Sequence, residues 1–210
     1  MAIVPSRTRA NNELFEFVKK PELRKQLTQD MDELHACMRH NLRKPSLVLI
    51  GSLIECVLYH HIESVDAIKN SIKRFELRDV GLADLLQWSR THGIIDENLF
   101  RLAEPIREYR NLIHPRVQMR TKTALSDNLV QIGYNILLEV IVRVNSHSNA
   151  LNSQSSEALV SKIVKSCGRS ATKADFHVYV PIVKKYGSTR GSLLIKRSLR
   201  AARRKRRNGA

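Results

Sequence analysis

Between Leu47 and Ile62 the chain carries a helix-length run, LVLIGSLIECVLYHHI, that is apolar on almost every side. A helix of that kind has no face to offer water, so the other elements must pack around it. Its longest apolar stretch, Leu47 to Tyr59, is 13 residues and contains Glu55. That is short of the roughly 20 apolar residues that span a bilayer, so the run reads as a core helix and no membrane partner is expected. Aromatic residues make up 5% of the 210, with only 8 Gly and 6 Pro, which disfavours a turn-rich β fold. The expected class is all-α.

Residues 1–10 read as a flexible, mildly basic arm. Helical spacing then predicts Glu13 to Lys20, closed by Pro21, and Glu22 to Arg43, with Leu23, Leu27, Met31, Leu34 and Met38 on one side. Pro45-Ser46 opens the central helix. Further helices are expected over Ser64 to Phe75, over Leu82 to Thr91 with Gly93 at its C-terminus, and from Asp96 onward. Pro105 either kinks that run or starts a fresh helix. Ser126 is placed to cap a long apolar helix, Leu129 to Val144.

The second part of the chain differs in charge. Residues 1–150 hold 21 Lys and Arg against 18 Asp and Glu, a net of +3. Residues 151–210 hold 15 against 2, a net of +13. The layout is a helical domain over 11–145, an Asn/Ser-rich linker over 146–156 and a basic extension over 157–210. Within the extension, Glu157 to Cys167 and Lys173 to Tyr186 fit short helices, and 177–180 fits a strand equally well. Gly187 to Gly191 reads as a flexible joint. Leu193 to Arg207 can fold as a helix on a polyanion. A near-neutral domain with a basic appendage is the pattern of a nucleic-acid binder, contacting phosphates without regard to sequence. The candidate contacts are Arg116, Arg120 and Lys122 in a basic loop, with Lys196, Arg197, Arg200, Arg203, Arg204, Lys205, Arg206 and Arg207 in the extension. Basic ends also solubilise, bind anionic membrane surfaces or act as addresses.

Cys37, Cys56 and Cys167 have neither disulfide nor metal spacing, and an odd count points to a reducing, cytoplasmic setting. Cys37 and Cys56 fall in apolar helical patterns and read as buried thiols. Adjacent His60 and His61 point about 100° apart on a helix, and His35 and His40 are badly spaced for one ion. No metal site is expected. Neither a phosphate-binding glycine loop nor a nucleophile elbow occurs, and no cofactor is expected.

The densest chemistry is the string IREYRNLIHP, 106–115. Arg107 and His114 are seven residues apart, nearly two helical turns, with Arg110 and Asn111 on or beside the same face. An apolar stripe of Leu99, Leu102, Ile106, Tyr109 and Ile113 runs alongside. Two readings fit. Pro115 stops the helix, and cations near a helix C-terminus are favoured by its dipole. Alternatively the row binds phosphate and moves protons. Glu55, a lone carboxylate in the central helix, is either a paired core-edge group or the brace of Arg107 or Arg110.

This string resembles the signature of the HEPN superfamily of all-α RNases and nucleotide-binding domains, in which an arginine precedes a histidine by four to six intervening residues, often with a polar residue just after the arginine. Arg107 meets the spacing but is followed by Glu108. Arg110-Asn111 supplies the arginine–polar pair but leaves three residues before His114. Ser46 to Glu55 resembles the family's second core helix, and Gly81 to Leu86 with Gly93 to Ile95 resembles the approach to its signature helix. The likeness covers about 40 to 145. It implies a HEPN-like helical bundle with a basic, partly ordered C-terminal extension, and a homodimer with signature helices facing each other. It also implies metal-independent RNA cleavage in which His114 moves protons, Arg107 or Arg110 holds the phosphate, Asn111 positions substrate and Glu55 braces an arginine. RNA or other nucleic acid, a second copy and a cognate antitoxin or regulator are the partners so implied. The same fold also serves as a non-catalytic binding or adaptor module, and a basic structural nucleoprotein is the remaining class.

Overall fold

A computed structural model describes residues 11, 13–65, 80–114, 116, 119, 125–166 and 172–208. The fold is all-α, with no strand among the described residues. It divides into two compact units, Met1–His147 and Ser148–Ala210. The arm over 1–10, the helix expected over Ser64 to Phe75 (apart from its first two residues), and most of the basic loop lie outside the described residues.

In the first unit the helices are α1 (Pro21–Arg39), α2 (Arg43–Ser64), α3 (Leu82–Thr91), α4 (Glu97–Arg110) and the beginning of α5 (Asp127–Ser166). Pro21 opens α1; of the helix expected over Glu13 to Lys20, only Glu13 and Leu14 are helical, 15–17 form a turn and 18–20 are neither. Lys20 is held extended before the proline, at φ −80 and ψ 111, and the fixed φ and missing N–H of Pro21 suit a first turn. Asn41, at φ 54, turns the chain into α2, which starts at Arg43 with Pro45 inside its first turn.

α2 is the centre of the unit. Leu47, Ile50, Ile54, Val57, Leu58 and Ile62 are fully buried. By length and composition alone this 22-residue helix, at mean hydropathy 1.4 over an 18-residue window, is enough to cross a membrane. Here its apolar surface is taken up by neighbouring helices. Gly133 of α5 packs where a Cβ would lie 3.4 Å from Ile50 Cδ1 and 3.3 Å from Ile106 Cδ1, so α5 meets both α2 and α4. Cys37 and Cys56 are half-buried rather than buried, and burial is the main cause pushing the Cys56 thiol up.

The helix ends are built from local chemistry. Ile94 N–H donates to Ser89 O at 2.8 Å and Gly93 N–H to Arg90 O at 3.1 Å, closing α3 around Gly93 at φ 69. Asp96 caps α4 by accepting from Leu99 N–H at 2.9 Å. Ser126 accepts from Leu129 N–H at 3.2 Å at the start of α5. Pro105 does not start a fresh helix; α4 runs through it from Glu97 to Arg110, with the proline exposed. The expected stripe is corrected too. Leu99 and Ile106 are buried and Tyr109 is half-buried, but Leu102 is 57% exposed and Ala103 fills the core position instead.

α5 does not stop at Val144. Residues 146–156, expected as a linker, are helical throughout. Their serines bond back to the preceding turn, Ser153 Oγ to Asn149 O at 2.9 Å and Ser156 Oγ to Asn152 O at 2.7 Å, so the polar side chains are satisfied without leaving the helix.

The second unit contains the rest of α5 from Ser148 and α6 (Lys173–Asn208), which is broken at Gly187, φ 73 and ψ 170. Residues 177–180 are helical, not a strand, and the joint reduces to that single glycine. Thr172 and Asp175 bond reciprocally at the start of α6, with Thr172 N–H 2.8 Å from Asp175 Oδ2 and Asp175 N–H 3.4 Å from Thr172 Oγ1. The unit has its own core of Val160, Ile163, Val164, Tyr179, Val183 and Ile195. After the break the chain doubles back tightly: a Cβ on Gly191 would lie 3.1 Å from the Val183 backbone. Among its described residues the extension is helical over 157–166 and 173–208, apart from the break at Gly187.

A candidate arginine–histidine site at the end of α4

The last turn of α4 tightens before Pro115. α4 ends at Arg110, Asn111–Ile113 form a 3-10 turn, and His114 is extended at φ −85 and ψ 118. Its N–H still donates to Asn111 O at 3.0 Å. The residue before a proline is excluded from the helical region, so His114 cannot complete a second α-turn above Arg107. The uniform helical spacing expected of the string therefore ends at Arg110. Leu112 is a buried anchor of this turn, at 1% exposure; the side chain of Ile113, the stripe's residue here, lies outside the described ones.

Arg110 crosses to α2. Its stem lies on Gly51, where an added Cβ would come within 2.7 Å of Arg110 Cβ. One turn further along α2, its guanidinium meets Glu55. Nη2 donates to Oε1 at 3.0 Å, and Nη1 sits 2.9 Å from Oε2 without hydrogen-bond alignment, as an ionic contact. The side chains are 36% and 22% exposed respectively. Burial pushes the Glu55 carboxyl above its usual range, and the Arg110 charge offsets part of that shift. Of the two arginines that Glu55 was expected to brace, the structure brings Arg110 to it.

Arg107, Asn111 and His114 are exposed, and no hydrogen bond or ion pair joins their side chains to another described residue. Three exposed polar groups thus share the end of α4 with one guanidinium held by a carboxylate. Arg116 is exposed; Arg120 and Lys122 lie outside the described residues. Lys196 and Arg197 are exposed on α6, and Arg200 to Arg207 continue the same helix.

The sequence reading missed Gly51, although a glycine one turn before a half-buried carboxylate signals a close approach by another element. It also missed a histidine pair. His61 Nε2 lies 2.9 Å from His147 Nδ1, with the rings edge to face at 5.0 Å. Burial, with His147 and His60 nearby, lowers His61 to about 4. His60 and His147 are lowered as well, chiefly by burial. Among the described residues no three His, Cys, Asp or Glu side chains converge on a point a metal would occupy. Compared with known proteins, the chain matches no family model, no curated protein and no solved structure.

Proposed function

We propose that this chain is an RNA-binding, metal-independent endoribonuclease of the HEPN type, acting at the end of α4 in a site completed by a second copy of the chain. The observation that carries the reading is the Arg110–Glu55 pair. It holds a planar cation at a helix end whose next polar residues, Asn111 and His114, face solvent. One hydrogen bond and one ionic contact to the same carboxylate fix the direction of the guanidinium while its remaining N–H donors serve a phosphate.

In this scheme the ribose 2′-oxygen bonds to phosphorus as the 5′-oxygen leaves. His114 takes the proton of the 2′-hydroxyl and returns one to the 5′-oxygen, so the products are a cyclic phosphate and a 5′-hydroxyl. Arg110 stabilises the charge that develops on the phosphate, with Arg107 free to add a second contact. Asn111 positions the substrate. His114 projects from a turn, not from the α4 face that carries Arg107, which supports a site assembled from two chains.

A second reading has its own observation. Part of the Arg110 charge is already spent on Glu55, as suits a module that binds nucleic acid without cutting it. The two separate in one assay. End-labelled RNA is incubated with the protein in excess EDTA and the product ends are identified. Cleavage to cyclic phosphate, lost by roughly 10²–10⁴-fold in His114→Ala at unchanged helical content, supports the enzyme. Absence of cleavage with every RNA tried, together with unchanged RNA affinity in His114→Ala, refutes it in favour of the binding module.

A further inference from the structure

We infer that α2 carries a nucleobase platform beside the Arg110–Glu55 pair: Tyr59 supports the base of an unpaired nucleotide, and Ser52 gives a hydroxyl to the same strand. The inference rests on the reading of Arg110 as the phosphate holder, which the nuclease and the non-cutting module share. It names the substrate class of that site as single-stranded RNA.

Between Lys44 and Glu63 the half-buried residues of α2 all fall in one stripe. Lys44, Val48, Ser52, Glu55, Tyr59 and Glu63 recur at intervals of four, four, three, four and four, with Leu49 and Cys56 along one border. Apart from exposed Pro45, the rest of the helix in that span is buried. Neighbours flank the stripe without closing it. Arg110 lies over Gly51 and reaches Glu55 at one border, and the Asp30 charge of α1 acts on Cys56 at the other.

Two hydroxyls on this stripe are unspent. Ser46 and Ser64, on the same helix, donate back to Leu42 O and His61 O at 2.8 Å each. Ser52 makes no such bond, and neither Ser52 Oγ nor Tyr59 Oη has a hydrogen-bond partner among the described residues. Ser89 Oγ is sealed from solvent without a partner; the Ser52 and Tyr59 oxygens are not sealed. Ser52 lies three residues before Glu55 and Tyr59 four after it, so the two bracket the carboxylate that holds the guanidinium. Helical side chains lean toward the N-terminus, which carries the Tyr59 ring back over the turn of Glu55. The ring packs against the core while staying half-open.

Charge orients the strand. Past Tyr59, Glu63 takes up the charge of Lys20 at 3.4 Å, which leaves that end suited to an uncharged base. Lys44 is the cation at the opposite end, beyond Ser52 and Val48, so the phosphates run that way from Arg110. A base reaches a tyrosine ring only when it is out of a duplex stack, and unpaired bases resting on aromatic rings are the common mode of single-strand recognition.

The test uses the full-length protein and an RNA pentanucleotide with every 2′-hydroxyl methylated, so that it stays intact, and with 2-aminopurine between uridines at its centre. Quenching of the fluorescence reports a base stacked on a ring, whereas attachment through phosphates elsewhere on the chain leaves it unquenched. Quenching is expected with the wild type and with Tyr59→Phe, which keeps the ring. Tyr59→Leu keeps apolar volume but should weaken the quenching midpoint roughly 5- to 100-fold. Ser52→Ala should weaken it several-fold at unchanged melting temperature. The same strand in a duplex should show no change on adding protein. A second measurement needs no variant: 5-iodouracil at the central position should cross-link on irradiation to the peptide that contains Tyr59. An unquenched wild-type titration, equal midpoints for wild type and Tyr59→Leu, a duplex that titrates like the single strand, or cross-links confined to other peptides would each overturn the inference. Arg110→Ala separates it from the reading beneath it. If that variant binds like the wild type while Tyr59→Leu does not, the phosphate reading fails and the platform stands. RNA that is cut by the wild type, with no quenching of the methylated strand, is the reverse case.

Discussion

Acid should destabilise the first unit through its buried histidines, and the size of the effect follows from His61. That side chain is 2% exposed and shares a 2.9 Å contact with His147, an arrangement that needs one ring to donate and the other to accept. A second proton would put two cations in contact. The folded value of about 4 lies below the ordinary 6.5, so the neutral form is the one that folds. The contribution is complete above pH 6.5 and is lost as pH falls toward 4, because only the unfolded chain takes up the proton. At 1.36 kcal/mol per unit the full loss is about 3 kcal/mol, with about 2 kcal/mol gone by pH 5. Against a typical stability of about 5–15 kcal/mol that is a large fraction. His60 and His147, lowered in the same direction, steepen the decline. Glu55, raised in the folded state, works the other way, since its contribution is present at low pH and lost as pH rises through its folded value. Urea unfolding followed by helical ellipticity at pH 7, 6 and 5 measures the sum, and His61→Gln isolates the histidine. The variant should be less stable at pH 7 and markedly flatter between 7 and 5. A wild-type stability that holds constant over that interval, or a variant with the wild-type slope, refutes the reasoning.

Glycine packing offers a paired comparison by thermal melting. Gly51→Ala places a methyl 2.7 Å from Arg110 Cβ, which cannot move without moving α4. It should cost about 1–3 kcal/mol of strain, less the roughly 1 kcal/mol gained in helix propensity. Gly133→Ala meets only the ends of Ile50 and Ile106 at 3.4 and 3.3 Å, and should be near neutral. The two arginines of the signature string should also part company. Arg110→Ala strands a half-buried carboxylate and should cost about 1–2 kcal/mol, partly rescued by Glu55→Gln, whereas Arg107→Ala should stay within about 0.5 kcal/mol. Equal costs at both positions, or no coupling in the Glu55–Arg110 cycle, would remove the brace from the account of the site.

Much of this molecule is written in short-range pattern. The apolar run from Leu47 identifies the central helix because a helix apolar on all sides has only one place to go. The caps at Asp96, Ser126 and Gly93 are legible because a cap is a bond between residues two to five positions apart. The division between a neutral first part and a basic second part is a property of composition and survives any fold. Local signals misled where packing or polar self-bonding overrode them. Leu102 has the spacing of a core residue, yet α4 turns Ala103 inward; 146–156 read as a linker, yet Ser153 and Ser156 bond back to the helix they were expected to end. Such patterns narrow the partner of Glu55 to two arginines but cannot choose between them, and they say nothing of the histidine pair. Glu55 and Arg110 are 55 residues apart, and His61 and His147 are 86 apart. A helical period states which residues share a side of one helix, but not which helix lies opposite. Which arginine meets Glu55, and that a glycine at 51 admits it, are decided only when α2 and α4 close to contact distance.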